Sequence, residues 1–143
     1  MRKITKIFLH CSASMEGVNL SGNDIKRFHC NPVTQGGRGW KNPGYHYVVR
    51  LDGAVDQILD ESQIANGVLG HNPESIHICY VGGLKKGNVP ANTMTSPQVE
   101  SVTRLLHDLF SRYPAARLYG HNEFDNKACP CFRVTEVFPE FAR

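Results

Sequence analysis

Side chains that can bind a metal or carry a proton are concentrated near the C-terminus, in the stretch GHNEFDNKACPC, which contains His121, Lys127, Cys129 and Cys131. Neutral imidazole and thiolate are ligands that zinc binds readily. A catalytic zinc site characteristically uses three protein ligands and leaves the fourth position for water. His121 and Cys129 can therefore supply two ligands of a hydrolytic zinc site, and a third must come from another residue.

Two residues compete for the place of the third ligand. Cys131 follows Cys129 by two positions across a proline, so in an extended segment its thiol would point the opposite way. His10 lies near the end of an apolar run, residues 6–12, which has the pattern of a strand buried on both faces. His10 is the preferred third ligand, on the condition that this first strand lies beside the last one.

Two other interpretations of the same residues stay open. Cys131 as an additional ligand would close the metal site to water and make the zinc structural. Without any metal, Cys129 would be a thiolate nucleophile with His121 as its base.

The strands that must position these residues are predicted from short apolar segments. After the run at residues 6–12, GYHYVVRLDGAVDQI predicts two strands around Asp52-Gly53, a pair that tolerates the positive φ of a tight turn. Alternation along this segment predicts that Tyr45 and Tyr47 share a face, with His46 on the other. SIHICYVGG predicts a further strand, and ARLYG a last strand that leads directly to His121.

The helices are predicted from capping signals and apolar periodicity. SGNDIKRFHCNP has Ser21 as an N-cap and Asp24 three residues later, which predicts a short helix. TSPQVESVTRLLHDLFSRYP has Thr95 or Ser96 as a cap and apolar residues at spacings of three and four. VTEVFPEFAR predicts a ragged terminal helix. The order of elements predicts an α/β fold, a single domain over residues 1–143 with a mixed central β-sheet flanked by helices.

Composition narrows the function classes. The chain has 143 residues, of which 41% are hydrophobic, enough for one domain with a real core. Its net charge is only +3 and its basic residues are scattered, so no nucleic-acid partner is expected. Five cysteines, an odd number, indicate reduced thiols. No stretch could span a bilayer and the apolar run at residues 7–9 is too short for a signal peptide, so we expect a cytoplasmic monomer, exported only by lysis or a secretion device.

Four motifs in order, FLHCSAS, GYHYVVRLDG, NPESIHICYVGG and GHNEFDNKACPCF, closely resemble the zinc N-acetylmuramoyl-L-alanine amidases, which share a fold with peptidoglycan recognition proteins and phage amidase lysozymes. The resemblance spans nearly the whole chain. It implies the mixed sheet with flanking helices and a groove for the glycan and stem peptide above a zinc ion. It also implies that His10, His121 and Cys129 bind Zn²⁺, and that Tyr45 and Lys127 are the active-site tyrosine and lysine.

The implied function is an endolysin-like hydrolase that cleaves the amide between N-acetylmuramic acid and L-alanine in peptidoglycan or muropeptides. The alternative is a peptidoglycan recognition module that binds without cutting. Substrate contacts are expected at the groove from His29, Trp40 and His71, with Trp40 and Tyr47 as a sugar-stacking surface.

Two departures from the family pattern bear on substrate handling. Gly67 stands where a loop histidine is expected, which removes a substrate contact unless His71 compensates. His77 stands where family members commonly have glycine, and a larger group there would either narrow the groove or face solvent.

Overall fold

The computed structural model describes residues 2–143 and contains eight strands and three α-helices in this part of the chain. The strands are β1 (Lys6–Cys11), β2 (Ser14–Met15), β3 (Tyr47–Val49), β4 (Val55–Gln57), β5 (Ser75–Tyr80), β6 (Gly83–Lys85), β7 (Val89–Pro90) and β8 (Arg117–Gly120). The helices are α1 (Gly22–Cys30), α2 (Ser96–Arg112) and α3 (Val134–Val137).

The central sheet has the strand order β4-β3-β5-β1-β8. β1 pairs in parallel with both β5 and β8, and β3 pairs in parallel with β5, whereas β4 runs antiparallel to β3. The predicted mixed sheet is therefore confirmed. The condition set for His10 is also met, because the first strand lies directly beside the last one.

The central strands are apolar along their whole length because layers of structure cover both faces of the sheet. Every residue of β5 is buried, including the polar Ser75 and His77. The larger core lies between the sheet and α2, and a smaller one, made by Ile25, Val48, Ile58, Cys79 and Val81, lies between the sheet and α1. Burial on both faces is what a parallel sheet with flanking helices requires.

Both predicted helix starts are confirmed by their capping hydrogen bonds. Before α1, the backbone N–H of Asp24 donates to the Ser21 hydroxyl (3.1 Å), and the Ser21 N–H donates to the Asp24 carboxylate (2.9 Å). Before α2, Thr95 is the cap, with Gln98 as its reciprocal partner. Each pair satisfies two backbone donors that the first turn of a helix otherwise leaves free.

The alternation predicted around the hairpin is wrong at its first residue. The strand begins only at Tyr47, and Tyr45 lies in the segment before it. Tyr47 packs into the core on the α2 side and donates its hydroxyl hydrogen to Glu61, whereas Tyr45 packs on the α1 side. The two tyrosines therefore lie on opposite faces, and Tyr47 cannot join Trp40 in a sugar-stacking surface.

A second, three-stranded sheet in the order β2-β6-β7 was not predicted, because its strands are too short to show a period. The terminal segment is ragged as expected, with α3 followed by a 3-10 turn at Pro139–Phe141. Among residues 2–143, none of the helices combines the length and apolar character needed to cross a membrane.

Candidate active site

Two side chains near the C-terminus and one from the first strand, more than a hundred residues earlier, come together at one edge of the central sheet. The ligand atoms of His10, His121 and Cys129 all lie within 4.8 Å of one another. The register of β1 on β8 pairs Leu9 with Gly120. The residues that follow these two, His10 within β1 and His121 just after β8, therefore emerge at the same edge. Parallel strand pairing therefore accounts for the meeting of two of the three candidate ligands.

The third candidate ligand, Cys129, lies on a loop that folds back over β1. The Asn122 N–H donates to the carbonyl of Cys129 (2.8 Å), and the Cys131 N–H donates to the carbonyl of Ala128 (2.6 Å). These turns place Sγ of Cys129 against β1, where the backbone N–H of Cys11 donates to it (3.2 Å). The sulfur then lies 3.8 Å from Nδ1 of His10.

The protonation of the two histidines suits a metal ligand. Burial, and then the positive charges that would arise at His121 and Lys127, lower the pKa of His10 well below its usual value. Burial also lowers the pKa of His121, although the Asp125 carboxylate, 3.2 Å from its Nε2, acts in the opposite direction. Both imidazoles are neutral at neutral pH, as metal ligation requires. Two imidazoles and one thiolate form a donor set that fits Zn²⁺.

Cys131 is not part of this group. Its Sγ lies 3.7 Å from Sγ of Cys11, and burial together with that thiol raises its pKa to about 12. The geometric reason differs from the one expected, because the segment is a tight turn with a positive φ at Cys131 rather than an extended strand. The outcome is the expected one, in that Cys131 does not join the cluster formed by the other three side chains.

A groove of about 430 Å³ opens beside the cluster, and a smaller cavity of about 190 Å³ adjoins it. Tyr45, Lys127 and His29 line both, together with His121. Trp40 lines the smaller cavity. The structure thus brings the predicted ligands, the predicted tyrosine and lysine and two of the three predicted substrate contacts to one concave surface.

Tyr45 and Lys127 present different kinds of proton donor to this surface. The half-buried ring of Tyr45 lies 5.0 Å from that of His10, and burial raises the pKa of its hydroxyl well above the usual value, so the hydroxyl keeps its proton at neutral pH. Lys127 is exposed, and its ammonium makes no hydrogen bond or ion pair with another residue in the described part of the chain. Its charge is free to meet an anionic group.

His29 forms part of the wall of the groove. Its Nδ1 accepts a hydrogen bond from the Gly44 N–H (3.0 Å), and its ring lies 4.9 Å from Trp40. Burial, with a smaller effect from Arg38, lowers the pKa of His29 to about 4. His29 is therefore neutral at neutral pH and offers Nε2–H as a donor.

Arg38, which was not predicted from the sequence, also belongs to the groove. Its guanidinium lies 5.2 Å from the ring centre of Phe28 and 5.1 Å from that of Trp40, and it lines both cavities. An arginine held between two aromatic faces is well placed to meet a carboxylate. No spacing in the sequence marks this residue, because the three side chains meet only through the fold of the loop after α1.

The remaining histidines lie outside the groove. His71 packs its ring against Phe124 (4.6 Å) and lines neither cavity, so its substrate contact stays a prediction without a place in the groove. His46 is buried behind the site, with Nδ1 accepting from the His77 N–H and Nε2 facing the Gln63 carbonyl. His77 is fully buried, so it neither narrows the groove nor faces solvent.

With this geometry established, comparison with known proteins decides the family. Residues 1–132 match the family described as N-acetylmuramoyl-L-alanine amidase, Amidase_2. The chain belongs to this amidase family. It is 37% identical to the endolysin of Escherichia phage T7 over 127 residues, which cover 88% of this chain and 80% of that one. It is 33% identical to the endolysin of Enterobacteria phage K11 over 132 residues, 92% of this chain and 83% of the relative.

The amidase fold is shown by solved structures as well. The Ph2119 endolysin from a bacteriophage of Thermus scotoductus MAT2119 superposes with a TM-score of 0.78 at 30% identity. That alignment covers 100% of this chain and 88% of the endolysin. The predicted α/β fold and the family are therefore confirmed, and the chain is placed among the amidases of peptidoglycan.

Proposed function

We propose that this amidase is a zinc hydrolase that cleaves the amide between N-acetylmuramic acid and L-alanine in peptidoglycan or muropeptides. The observation that carries the proposal is the cluster of His10, His121 and Cys129 beside an open groove. It supplies three ligands, and the sulfur of Cys131 contacts that of Cys11 instead of joining them. A set of three ligands with room for water is the pattern of catalytic rather than structural zinc.

A zinc ion bound by these three residues would supply a Lewis acid. It would also lower the pKa of the attacking water toward the neutral range. The other steps fall to the side chains that line the groove. The Lys127 ammonium, which is free of protein partners, would stabilise the negative charge that develops on the scissile carbonyl oxygen. The Tyr45 hydroxyl, protonated at neutral pH, would orient water or transfer a proton to the leaving amine.

The walls of the groove would hold the substrate. Trp40 and His29 offer an aromatic surface with one donor, and Arg38 adds a cation for the carboxylates of a stem peptide. We further propose that residues 1–143 act as one catalytic domain and as a monomer. The protein would reach the cell wall from the cytoplasm through lysis or a secretion device.

The experiment is hydrolysis of purified peptidoglycan and of soluble muropeptides, with newly exposed alanine amino groups as the readout. It is run on untreated protein, after chelation and after zinc is added back. Activity that is lost with the chelator and restored by zinc is the expected result. Activity that survives chelation but is destroyed by a thiol alkylator would instead make Cys129 a nucleophile. Tight binding of muropeptides without new amino groups would establish a recognition module.

A further inference from the structure

The ring of His77 contacts His10, one of the three proposed metal ligands, on the side away from the other two. Its Nδ1 lies 2.8 Å from Nε2 of His10, and both side chains are buried. The opposite nitrogen of His10, Nδ1, is the one that lies 3.8 Å from Sγ of Cys129. His10 therefore has one ring nitrogen toward the other ligands and the other nitrogen hydrogen-bonded to His77.

This arrangement fixes how the protons must be distributed when His10 is a ligand through Nδ1. The remaining proton of the neutral His10 ring is then on Nε2, so His10 donates and Nδ1 of His77 accepts. The proton of the neutral His77 ring must consequently be on its own Nε2. That atom is buried and has no hydrogen-bond partner among residues 2–143. A buried polar atom without a partner is unfavourable, so its presence calls for an explanation.

The surroundings of His77 hold its ring in one orientation. The ring is stacked on Phe8, with ring centres 5.3 Å apart and planes 8° from parallel. On the other side it is stacked on His46, with ring centres 6.0 Å apart and planes 5° from parallel. The backbone N–H of His77 also donates to Nδ1 of His46 (3.0 Å). A side chain confined in this way can hold a partner at a defined angle.

Gly67 makes room for this ring. A Cβ atom at position 67 would lie 2.5 Å from Cε1 of His77, would contact its Nδ1 more closely still, and would lie 2.8 Å from the Gly44 carbonyl oxygen. A side chain at 67 and the imidazole of His77 thus exclude each other. The two positions that depart from the family pattern, 67 and 77, therefore share one space, and the imidazole of His77 fills it from β5.

We propose that His77 is a positioning residue that orients the metal ligand His10 through the bond between Nε2 of His10 and Nδ1 of His77, and that Gly67 is required to leave space for it. The inference rests on the metal site of the proposed function. Partners of this kind fix the tautomer and direction of a ligating imidazole, and their loss weakens metal binding by roughly 10–100-fold.

Two substitutions at His77 separate the hydrogen bond from packing. His77→Asn keeps an acceptor atom near the position of Nδ1 but removes the ring, whereas His77→Phe keeps a flat ring but removes the acceptor. Gly67→Ala keeps the imidazole of His77 but pushes its ring away from its present position. His107→Asn and His107→Phe, at an exposed histidine on α2, are the matched controls.

The readouts are the dissociation constant for Zn²⁺, measured by competition with a chelating indicator, and the visible absorption spectrum of the Co²⁺-substituted protein. We expect His77→Phe and Gly67→Ala to bind Zn²⁺ about 10–100-fold more weakly and to shift the Co²⁺ bands, with His77→Asn within about threefold of wild type. Thermal unfolding of the metal-free proteins shows which variants fold, and Gly67→Ala and His77→Asn keep the test valid if His77→Phe does not.

Wild-type Zn²⁺ affinity in His77→Phe or in Gly67→Ala, or an affinity in His77→Asn as weak as in His77→Phe, would overturn the positioning role. The last result would mean that packing of the ring, not its hydrogen bond, is what matters. Failure of the wild-type chain to bind Zn²⁺ is a different outcome, because it would refute the zinc site of the proposed function before the role of His77 could arise.

Discussion

The backbone N–H of Cys11 donates to Sγ of Cys129 across 3.2 Å, although 118 residues separate the two positions. Cys11 directly follows His10, a proposed metal ligand, in β1. One strand therefore carries one proposed ligand and also holds the sulfur of another. N–H donors to sulfur orient a metal-bound thiolate, so the mutual placement of His10 and Cys129 is set by β1 before any metal binds.

Replacement of Cys129 by serine tests this placement. Cys129→Ser should reduce zinc retention and amidase activity by more than the roughly 10–100-fold that loss of an outer partner of a metal site costs, because it removes a ligand itself. Metal content by atomic emission and release of alanine amino groups are the measurements. Cys30→Ser, at a cysteine that lines neither cavity, is the control. Full activity in Cys129→Ser would contradict the ligand assignment.

Cys131→Ser should have a small effect. Its sulfur contacts Cys11 and not the ligand cluster, so the variant should retain zinc and keep activity within about threefold of wild type, as for a change that leaves all three ligands in place. Zinc content and turnover are measured side by side with Cys129→Ser. Loss of the metal in Cys131→Ser would show a site with four protein ligands and no position for water.

Lys127→Ala should lower kcat without loss of the metal. The ammonium makes no contact with a protein acceptor among the described residues, and removal of one donor to a developing oxyanion costs about 100–1,000-fold in kcat. Steady-state kinetics on a soluble muropeptide, together with zinc content, provide the measurement. Lys86→Ala, also at an exposed lysine, is the control. A change confined to KM would assign Lys127 to substrate binding instead.

Tyr45→Phe should keep the fold and the metal and lose turnover. The phenylalanine ring preserves the contacts with His10 and His29, while proton transfer by a positioned side chain is worth about 100–10,000-fold in rate. Because burial raises the pKa of the Tyr45 hydroxyl, we expect no loss of activity from its ionisation near neutral pH. The kcat of the variant is compared with that of Tyr119→Phe. Unchanged kcat would leave Tyr45 as a wall of the groove only.

Glu61, which lies away from the candidate site, should make the stability of the fold depend on pH. Burial acts to raise its pKa, but hydrogen bonds from Arg112, Tyr113 and Tyr47 outweigh burial and lower it to about 2. A depressed carboxyl pKa stabilises the fold above the unfolded value, and this contribution is lost as pH falls toward the folded value. The side chain is only 13% exposed, so the contribution is on the order of 3 kcal/mol.

Urea unfolding of wild type and Glu61→Gln at several pH values measures this contribution. The difference in the free energy of unfolding should be full above about pH 5 and should shrink steadily as pH falls toward the folded pKa. Glu16→Gln, at an exposed carboxylate, is the control. A difference that is independent of pH would show that Glu61 acts through its shape and not through its charge.

The candidate site was predictable from the sequence to an unusual extent because its ligands sit next to strong local signals. His10 is the second-last residue of an apolar strand and His121 directly follows another, so the sequence alone marks both as candidate ligands at a sheet edge. Local rules also predicted both capped helices and the hairpin, since caps and turns depend on residues only a few positions apart. The error at Tyr45 arose where the strand begins later than the alternation suggests, which is the least certain feature of any pattern.

The sequence by itself determined the strands of the central sheet, the capped helices, the candidate donor set for a metal and the family, because each of these depends on residue types and short spacings. The tertiary structure alone decided the register of β1 on β8, the direction of the Cys131 sulfur and the placement of Arg38 between Phe28 and Trp40. It also decided that Gly67 and His77 share one space behind His10. Such contacts depend on packing between segments far apart in the chain, and local patterns carry no information about them.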